Sequence, residues 1–318
     1  MKRCRLQLGD RHLEFPAFLP VTTFGGRFPL DELVRPYLER LTPALMVSYH
    51  YAQKMTKRPR GILFVDSGGF ASLFEGSTIA ESGDVASIVT KDNDTISPDA
   101  VLGFQEKHAD IGATVDFIIP PDLPLPEAQR RQDLTIRNAL WTLRARVNSG
   151  LRLFASVQAW DEPSAVQTMQ RLAPYPFDGF ALGGMVPRMK RPAEIEEIIR
   201  AIRTVDHERP LHVFGIGSPA LIRRFIAAGA DSFDSSSYVR AAVDGKVLAD
   251  NDAEAWAPIS GVSLDGRHSQ VSVRLGTSYF ELEGESNRMA LALHNLEELL
   301  RATSTLGGSP ECVNPMCS

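Results

Sequence analysis

Short apolar runs recur between residues 15 and 235, and most are followed by an amphipathic segment. The runs predict eight strands, at Phe15–Val21, Leu45–Tyr49, Ile62–Val65, Asp116–Ile119, Leu153–Val157, Gly179–Leu182, Leu211–Phe214 and Asp231–Phe233. Each run is continuously apolar rather than alternating, which is typical of parallel strands covered on both faces. The segments Ala193–Arg203 and Pro219–Ala228 are examples of the predicted helices between them, and Ser218-Pro219 is a typical start for the second.

Strands that alternate with helices indicate an α/β fold, and eight such units within residues 1–245 favour a closed (β/α)8 TIM barrel. A doubly wound open sheet is the alternative. One unit is longer than its neighbours. Residues 71–97 are expected to hold a hairpin insertion that turns at Asp92–Asp94, before a helix that starts at Ser97-Pro98 and ends near Ala109.

The alternation stops after about Val243. Residues 246–318 are therefore predicted to form a small C-terminal appendage. It would contain two or three antiparallel strands within Val262–Glu283 and a helix over Ser286–Ala302.

The chain of 318 residues carries a formal net charge of −5, which excludes a globally basic nucleic-acid-binding protein. A polyanionic partner would have to bind local basic patches. The candidates are Lys54, Lys57, Arg58 and Arg60; Arg130 and Arg131; and Arg188, Lys190 and Arg191. Each could equally be an ordinary solvated face.

The chain contains three cysteines, Cys4, Cys312 and Cys317, and its N-terminus lacks the apolar region of a secretion signal. Sparse cysteines without such a signal are typical of a reducing compartment, so we expect a cytoplasmic protein. No run reaches the ~18 apolar residues that a membrane span needs.

The densest chemical signal is Asp66-Ser-Gly-Gly-Phe70, which follows the third predicted strand. Ser67, Gly68 and Gly69 join a carboxylate to an aromatic ring, and glycines let a backbone approach a ligand closely. Phe70 offers a stacking face. The motif predicts a pocket for a planar, hydrogen-bonding molecule such as a nucleobase, and a tight strand-to-helix turn is the alternative.

In a (β/α)8 barrel the active site lies at the C-terminal ends of the strands. The other predicted strand ends add these residues to Asp66: Asp122, Gln158, Gly183, Gly184, Gly215, Gly217 and Asp234. Aspartate or serine at a strand end can also cap a helix, so each residue alone has a structural explanation. Together they predict one polar rim, in which Asp234 could act as nucleophile, base or ligand.

A metal site is not favoured at this rim, because the nearest histidines, His50 and His212, are isolated beside apolar runs. We interpret both as core residues. The glycine-rich segment Gly215–Pro219 precedes a predicted helix and could instead bind a phosphate.

Taken in order, these residues resemble the tRNA-guanine transglycosylase family, which has a related DNA-modifying branch. The matching stretches are Phe18-Leu-Pro20, Ser48-Tyr-His50, Asp66-Ser-Gly-Gly-Phe70, Asp116 to Asp122, Ser156-Val-Gln158, Gly179-Phe-Ala-Leu-Gly-Gly184, Phe214-Gly-Ile-Gly-Ser-Pro219 and Asp231-Ser-Phe-Asp234. Each motif is short, and the resemblance depends on their common order over residues 15–245.

The resemblance implies a pentosyltransferase that exchanges guanine in a polynucleotide for a 7-deazaguanine base. Asp234 matches the nucleophile that attacks C1′ of the ribose, and Asp66 matches the general acid/base. Such a pair also suits the chemistry, because a glycosidic bond that breaks with retention needs one carboxylate as nucleophile and another for proton transfer.

The remaining matches concern the base. Asp122 would accept hydrogen bonds from its N1 and exocyclic amine edge. Gln158 and the backbone N–H of Gly184 would recognise its O6 side. Phe70 and Phe214 match the positions that sandwich the ring.

The chain departs from the family where its tRNA enzymes carry a zinc site of clustered cysteines and a histidine. Residues 244–311 contain no cysteine, although His294 lies near the position of the family histidine. We therefore expect no cofactor, with a rearranged site of His294, Cys312 and Cys317 as the alternative. Because the zinc region shapes the tRNA contact surface in the family, DNA is slightly favoured over tRNA as the substrate.

Several functions stay open at this point. The alternative to a DNA enzyme is a tRNA-guanine transglycosylase of the queuosine type, or a non-catalytic partner subunit of such an enzyme. A barrel enzyme acting on a free nucleoside is a further rival. A homodimer is also compatible with the resemblance.

Overall fold

The structure is a computed structural model that describes residues 5–248, 256–258 and 288–304. In chain order its strands are β1 (Arg5–Leu8), β2 (Arg11–Glu14), β3 (Ala17–Pro20), β4 (Ala44–Ser48), β5 (Ile62–Asp66), β6 (Thr78–Ser82), β7 (Val85–Val89), β8 (Thr95–Ile96), β9 (Ile111–Ala113), β10 (Arg152–Val157), β11 (Gly179–Leu182), β12 (Leu211–Val213), β13 (Ser232–Ser235), β14 (Lys246–Leu248) and β15 (Trp256–Pro258).

The helices are α1 (Pro29–Leu41), α2 (Tyr49–Ala52), α3 (Pro98–His108), α4 (Leu125–Ala145), α5 (Glu162–Leu172), α6 (Pro192–Val205), α7 (Pro219–Ala228), α8 (Ser237–Val243) and a C-terminal helix, Arg288–Ser304. None of the helices in the described ranges is both long and apolar enough to cross a membrane.

Eight parallel strands form the central sheet, in the order β3-β13-β12-β11-β10-β9-β5-β4. The sheet closes between its two ends, where Val21 forms a parallel bridge with Met46 and the Thr22 N–H donates to Met46 O at 2.9 Å. Helices alternate with the strands around the ring. The predicted (β/α)8 barrel is therefore confirmed, and the open sheet is wrong.

Alternate residues of the barrel strands point into the barrel and out to the helices. Inward-facing Leu19, Met46 and Phe64 pack in an inner core, whereas outward-facing Phe18 and Val65 pack in a separate core beneath the helices. The same alternation carries polar side chains inward near the C-terminal ends of the strands.

The hairpin formed by β1 and β2 covers the N-terminal end of the barrel interior. Its residues Leu6, Leu8 and Leu13 belong to the inner core. Two polar contacts fix it at this end of the barrel: Arg11 pairs with Asp110 at 2.5 Å, and Arg152 Nε donates to Gln7 O at 2.9 Å. The apolar pattern did not predict this hairpin.

The fourth barrel strand is β9, and the prediction of a strand at Asp116–Ile119 is wrong. The N–H groups of Phe117, Ile118 and Ile119 bind side-chain oxygens instead of a neighbouring strand. Their acceptors are Thr135 Oγ1 at 3.1 Å, Ser72 Oγ at 3.2 Å and Gln158 Oε1 at 3.3 Å. Side chains satisfy this buried backbone, so the segment is apolar without being a strand.

The predicted hairpin insertion is present, with the turn where it was expected. Its strands β6, β7 and β8 form a three-stranded antiparallel sheet, and the Thr90 N–H donates to Asp94 O at 2.9 Å across the turn. The sheet is fixed to α4 because Asn138 binds both the N–H and the carbonyl of Ala86, each at 2.9 Å. Ser97 caps α3 as predicted, since its hydroxyl accepts from the Ala100 N–H.

The predicted C-terminal helix is confirmed as Arg288–Ser304. It is joined to β14, because Asn295 Oδ1 accepts from the Leu248 N–H at 2.9 Å and His294 Nε2 contacts Leu248 O at 3.0 Å. The strands predicted within Val262–Glu283 lie outside the described residues, as do the three cysteines.

Candidate active site

Three carboxylates meet at the C-terminal mouth of the barrel. Burial raises the pKa of Asp66 from 3.8 to about 7. Hydrogen bonds from the Gly68 N–H and the Ser48 hydroxyl lower this pKa, and the negative charges of Asp234 and Asp116 raise it. With this pKa, Asp66 is about half protonated at neutral pH and can both donate and accept a proton there, and its charge is coupled to those of two other carboxyl groups.

The turn after β5 fixes the position of Asp66. The Gly68 N–H donates to Asp66 Oδ1 at 2.7 Å, and Gly68 has a left-handed φ of +76°. A Cβ at Gly69 would lie 2.0 Å from Asp116 Oδ1. Gly68 is required for its backbone angle, and Gly69 is required because the Asp116 carboxylate approaches its Cα closely. Phe70 follows, and its ring is 51% exposed at the rim.

Asp116 lies at the centre of the site, although it was predicted only to begin a strand. Its carboxylate is buried and accepts from Ser67 Oγ at 2.7 Å and from Gln158 Nε2 at 2.6 Å. Burial raises the pKa of Asp116. Through Ser67 and Gln158, this one side chain joins the ends of β5 and β10.

Asp122, which was predicted to bind the base, lies apart from the buried side chains of the mouth. It is exposed, in a turn that follows Pro120. No hydrogen bond of its carboxylate to Ser67, Gln158 or the glycines at the mouth occurs in the part of the chain that the structure describes. The strand of this unit ends at Ala113, and the buried carboxylate that follows it is that of Asp116.

Gln158 and the glycine pair after β11 are packed against each other. Gln158 is fully buried, and a Cβ at Gly183 would lie 2.2 Å from its Nε2. Gly184 has a left-handed φ of +75°. Arg188, which was predicted as part of a basic patch, is buried and donates from Nη1 to Gly184 O at 3.0 Å and to Ile119 O at 2.6 Å. These contacts fix the peptide that follows Gly184 and join it to the segment after β9.

Asp234 is buried at the end of β13 and is held by two donors on the β12 side. Its Oδ1 lies 3.0 Å from His212 Nε2 and accepts from the Gly215 N–H at 2.9 Å. In the described residues no hydrogen bond is made to Oδ2. That oxygen is therefore the one available for attack on a substrate.

The two aromatic residues that were predicted to sandwich the base, Phe70 and Phe214, follow β5 and β12. Phe214 is partly buried and packs edge-on against His212, with ring centroids 4.8 Å apart. Gly215 follows with a left-handed φ of +78°, and a Cβ there would lie 2.3 Å from Val186 Cγ2. Phe70 is more exposed and contacts Phe74 edge-on, with ring centroids 6.0 Å apart.

Five of the nine basic side chains proposed as patches have partners within the fold, among them Arg188 and Arg191, which pairs with Glu194. Arg58 pairs with Asp110 near the opposite end of the barrel. Arg130 pairs with Glu81, and Arg131 with Glu127. The acidic partners offset the positive charge of these side chains, so the candidate basic patches are weaker than the sequence suggested.

Cys312 and Cys317, two members of the alternative metal site, lie outside the described residues. No group of three or more potential ligands within the described residues is arranged to hold a metal ion. The ring of His294 is buried and its Nε2 is used by Leu248 O.

Sequence reasoning missed His212, Ser232 and the role of Asp116. The spacing of residues along the strands could have indicated His212 and Ser232. His212 and Phe214 are two residues apart in one strand, as are Ser232 and Asp234 in the next, and residues two apart share a face. For Asp116 there was no such signal, because the chain leaves the strand geometry before reaching it.

A family profile described as Queuine tRNA-ribosyltransferase (TGT) matches residues 1–301. The chain is 28% identical over 318 residues to tRNA-guanine(15) transglycosylase of Methanopyrus kandleri, with 95% of this chain and 65% of that protein aligned. It is 24% identical over 331 residues to the protein of that name from Thermococcus onnurineus, with 95% of this chain and 52% of that protein aligned.

The chain thus spans less than two thirds of the length of these relatives. Because the profile match covers almost all of the sequence, the chain belongs to the queuine tRNA-ribosyltransferase (TGT) family.

Proposed function

We propose that the protein is a guanine transglycosylase that replaces guanine in tRNA with a 7-deazaguanine base through a covalent aspartyl-glycosyl intermediate. One observation carries the proposal: Asp66 and Asp234 lie in a single barrel mouth, close enough for the charge of Asp234 to raise the pKa of Asp66. A protonated carboxyl beside a nucleophilic carboxylate is the pair that retaining glycosyl transfer requires.

In the first half-reaction Asp234 Oδ2 attacks C1′ of the ribose, and the C1′–N9 bond breaks. The electron pair leaves with guanine, which takes up a proton from Asp66. In the second half-reaction the Asp66 carboxylate accepts a proton from the incoming base, whose nitrogen attacks C1′. The ester bond breaks, and Asp234 is released as a carboxylate.

For base recognition we propose Asp116 in the role that was predicted for Asp122. Its two oxygens are held by Ser67 and Gln158, and each keeps a lone pair that can accept from the N1–H and the exocyclic amine of guanine. The Gly184 N–H and the Gln158 amide adjoin this carboxylate and suit the O6 side. Phe70 and Phe214 remain the proposed stacking residues.

The choice of tRNA departs from the DNA preference expected from the sequence. The relatives described above carry names of tRNA enzymes, and none supports DNA modification. The base-reading residues do not distinguish the two polymers, because the 2′-hydroxyl that separates them is on the sugar. In either polymer the target base must leave its stack to reach the mouth.

Two rivals are disfavoured. A silent partner subunit would not need Asp66 and Asp234 together at one mouth. A nucleoside-specific enzyme would bind a substrate of low charge, and its activity would survive high salt, whereas binding to a polynucleotide weakens steeply as salt rises.

The test is incorporation of labelled guanine into unmodified tRNA and, separately, into duplex DNA, at low and high salt. We expect label in tRNA, less of it at high salt, and none with an Asp234→Ala variant. Label in DNA alone would replace tRNA as the substrate. Label in neither polymer, from folded protein, would contradict the transglycosylase assignment.

A further inference from the structure

We infer that His212 is a positioning residue for the nucleophile: it holds Asp234 by Oδ1, so that Oδ2 is presented to C1′ of the ribose. The inference rests on the proposed function, because it assigns a role within the same reaction. It adds a residue that the sequence led us to interpret as an ordinary core histidine.

The geometry places the imidazole between two side chains of the neighbouring strand. In the pairing of β12 with β13, His212 lies opposite Ser232. Its Nδ1 is 2.9 Å from Ser232 Oγ, and its Nε2 is 3.0 Å from Asp234 Oδ1. A single ring therefore spans the two inward-facing residues of β13, and both of its nitrogens are used.

The partners determine where the proton of a neutral ring must lie. An ionised carboxylate can only accept, so Nε2 carries the proton and donates it to Asp234. Nδ1 then accepts, and the Ser232 hydroxyl can supply that hydrogen. Ser232 thus selects the tautomer that Asp234 needs.

His212 acts on the reaction only through Asp234. The side chain is 0% exposed, so it cannot reach base or ribose. Two aromatic rings flank it, Phe64 at 5.1 Å and Phe214 at 4.8 Å between centroids. The charges of Asp234 and of Asp116, from the segment after β9, both raise the pKa of Asp66 at the end of β5.

A second donor to Asp234 fixes the orientation of its carboxylate. The Gly215 N–H binds the same Oδ1 at 2.9 Å, so two donors from the β12 side converge on one oxygen. Rotation of the carboxylate would break both hydrogen bonds. Removing the imidazole leaves only one donor, and the carboxylate gains freedom to turn.

The test measures the rate of glycosyl-enzyme formation under single-turnover conditions, with KM for guanine exchange, for His212→Ala, His212→Gln and Ser232→Ala. A glutamine amide can reach the position of Nε2 and donate from it. We expect His212→Ala to slow ester formation by about 10- to 100-fold, the usual loss for a hydrogen bond to a charged group, with KM within about threefold. His212→Gln should recover to within about fivefold of wild type, and Ser232→Ala should lie between the two.

A structural role would give a different pattern. If His212→Gln were as slow as His212→Ala while both melted like wild type, donation to Asp234 would not be the function of the ring. If KM rose and the single-turnover rate did not fall, the inference would also be overturned. If His212→Ala does not fold, the Ser232→Ala variant is compared with wild type instead, because loss of one hydroxyl is a small change. An unchanged rate of glycosyl-enzyme formation in Ser232→Ala would contradict the assigned tautomer of His212 and with it the inference.

Failure of this inference can be told apart from failure of the proposed function. If the wild-type protein exchanges guanine into tRNA but the variants do not follow the expected order of rates, only the role of His212 is contradicted. If the wild-type protein exchanges no base, the proposed function itself is contradicted.

Discussion

The Ser67 hydroxyl donates a 2.7 Å hydrogen bond to Asp116 Oδ1 and accepts another, at 2.9 Å, from the Gly69 N–H. This relationship ties the turn that carries Asp66 to the carboxylate that we assign to base binding. The proton-transfer group and the base-reading group therefore share one rigid support, and displacement of either one should disturb both.

The assignment of Asp116 predicts a large difference between two single substitutions. Asp116→Asn replaces an acceptor with an amide that also presents N–H groups to guanine and to Ser67. We expect KM for guanine to rise by at least ~10-fold, because buried polar groups are left unpaired. Asp122→Asn, in the exposed turn, is the matched control and should change KM by less than about twofold. Equal effects of the two changes would return the base-binding role to Asp122.

Gly69→Ala should inactivate the site by steric displacement. The new Cβ would lie 2.0 Å from Asp116 Oδ1 and 2.8 Å from the Asp116 carbonyl oxygen. A shift of about 1 Å at a reacting group costs about 100-fold in rate. Gly103→Ala is the control: the residue lies within α3, and nothing is within 4 Å of the added atom. It should leave exchange unchanged and raise stability by about 0.5–1 kcal/mol. Normal exchange by Gly69→Ala would show that Asp116 is not confined as described.

Asp234→Ala should abolish covalent trapping without unfolding the barrel. The side chain supplies the only oxygen proposed to bond C1′, so no ester can form. The measurement is denaturing electrophoresis of enzyme mixed with labelled tRNA, with circular dichroism as the check on folding. A trapped complex from this variant would exclude Asp234 as the nucleophile.

Asp66→Asn should slow exchange by at least ~100-fold, the lower limit for losing general acid–base help. In the wild type, guanine release needs the protonated acid, whose pKa is about 7. The rate of that half-reaction should therefore fall as pH rises above about 7. The variant should lose this dependence, and a wild-type profile in the variant would identify a different acid.

The raised pKa of Asp66 also predicts how stability depends on pH. The pKa is about 7 in the fold against 3.8 for the ordinary value, so the native state favours the proton. Its contribution is fully present below about pH 4 and is lost as pH rises through 7. At pH 8 the ionised group should cost roughly 2–4 kcal/mol. Urea unfolding at pH 4 and pH 8 should show Asp66→Asn gaining on wild type at the higher pH; a constant difference would contradict the shift.

The sequence predicted the parts of the fold in which local pattern and tertiary role agree. The continuous apolar run Ile62–Val65 is buried on both faces, and its end delivers Asp66 as the barrel rule requires. Ser218-Pro219 starts α7 because cap chemistry is local. Gln158 was found for the same reason as Asp66, since it follows β10 directly.

The failures occurred where side chains replace backbone partners or where the signal is short. Residues Phe117–Ile119 are as apolar as a strand, but their N–H groups bind distant side chains that no local pattern reveals. The hairpin of β1 and β2 has only four residues in each strand, too few for a clear periodicity. His212 was taken as a core residue, and its burial agrees; its contact with Asp234 depends on the register of two strands.

The leucines of the N-terminal hairpin belong to the inner core and close one end of the barrel interior. Under the proposed function, a base would therefore enter and leave by the opposite end alone. Guanine would have to depart before the incoming base could take its place, and the ribose would have to stay bound between the two events. A glycosyl ester on Asp234 would hold the ribose during that interval.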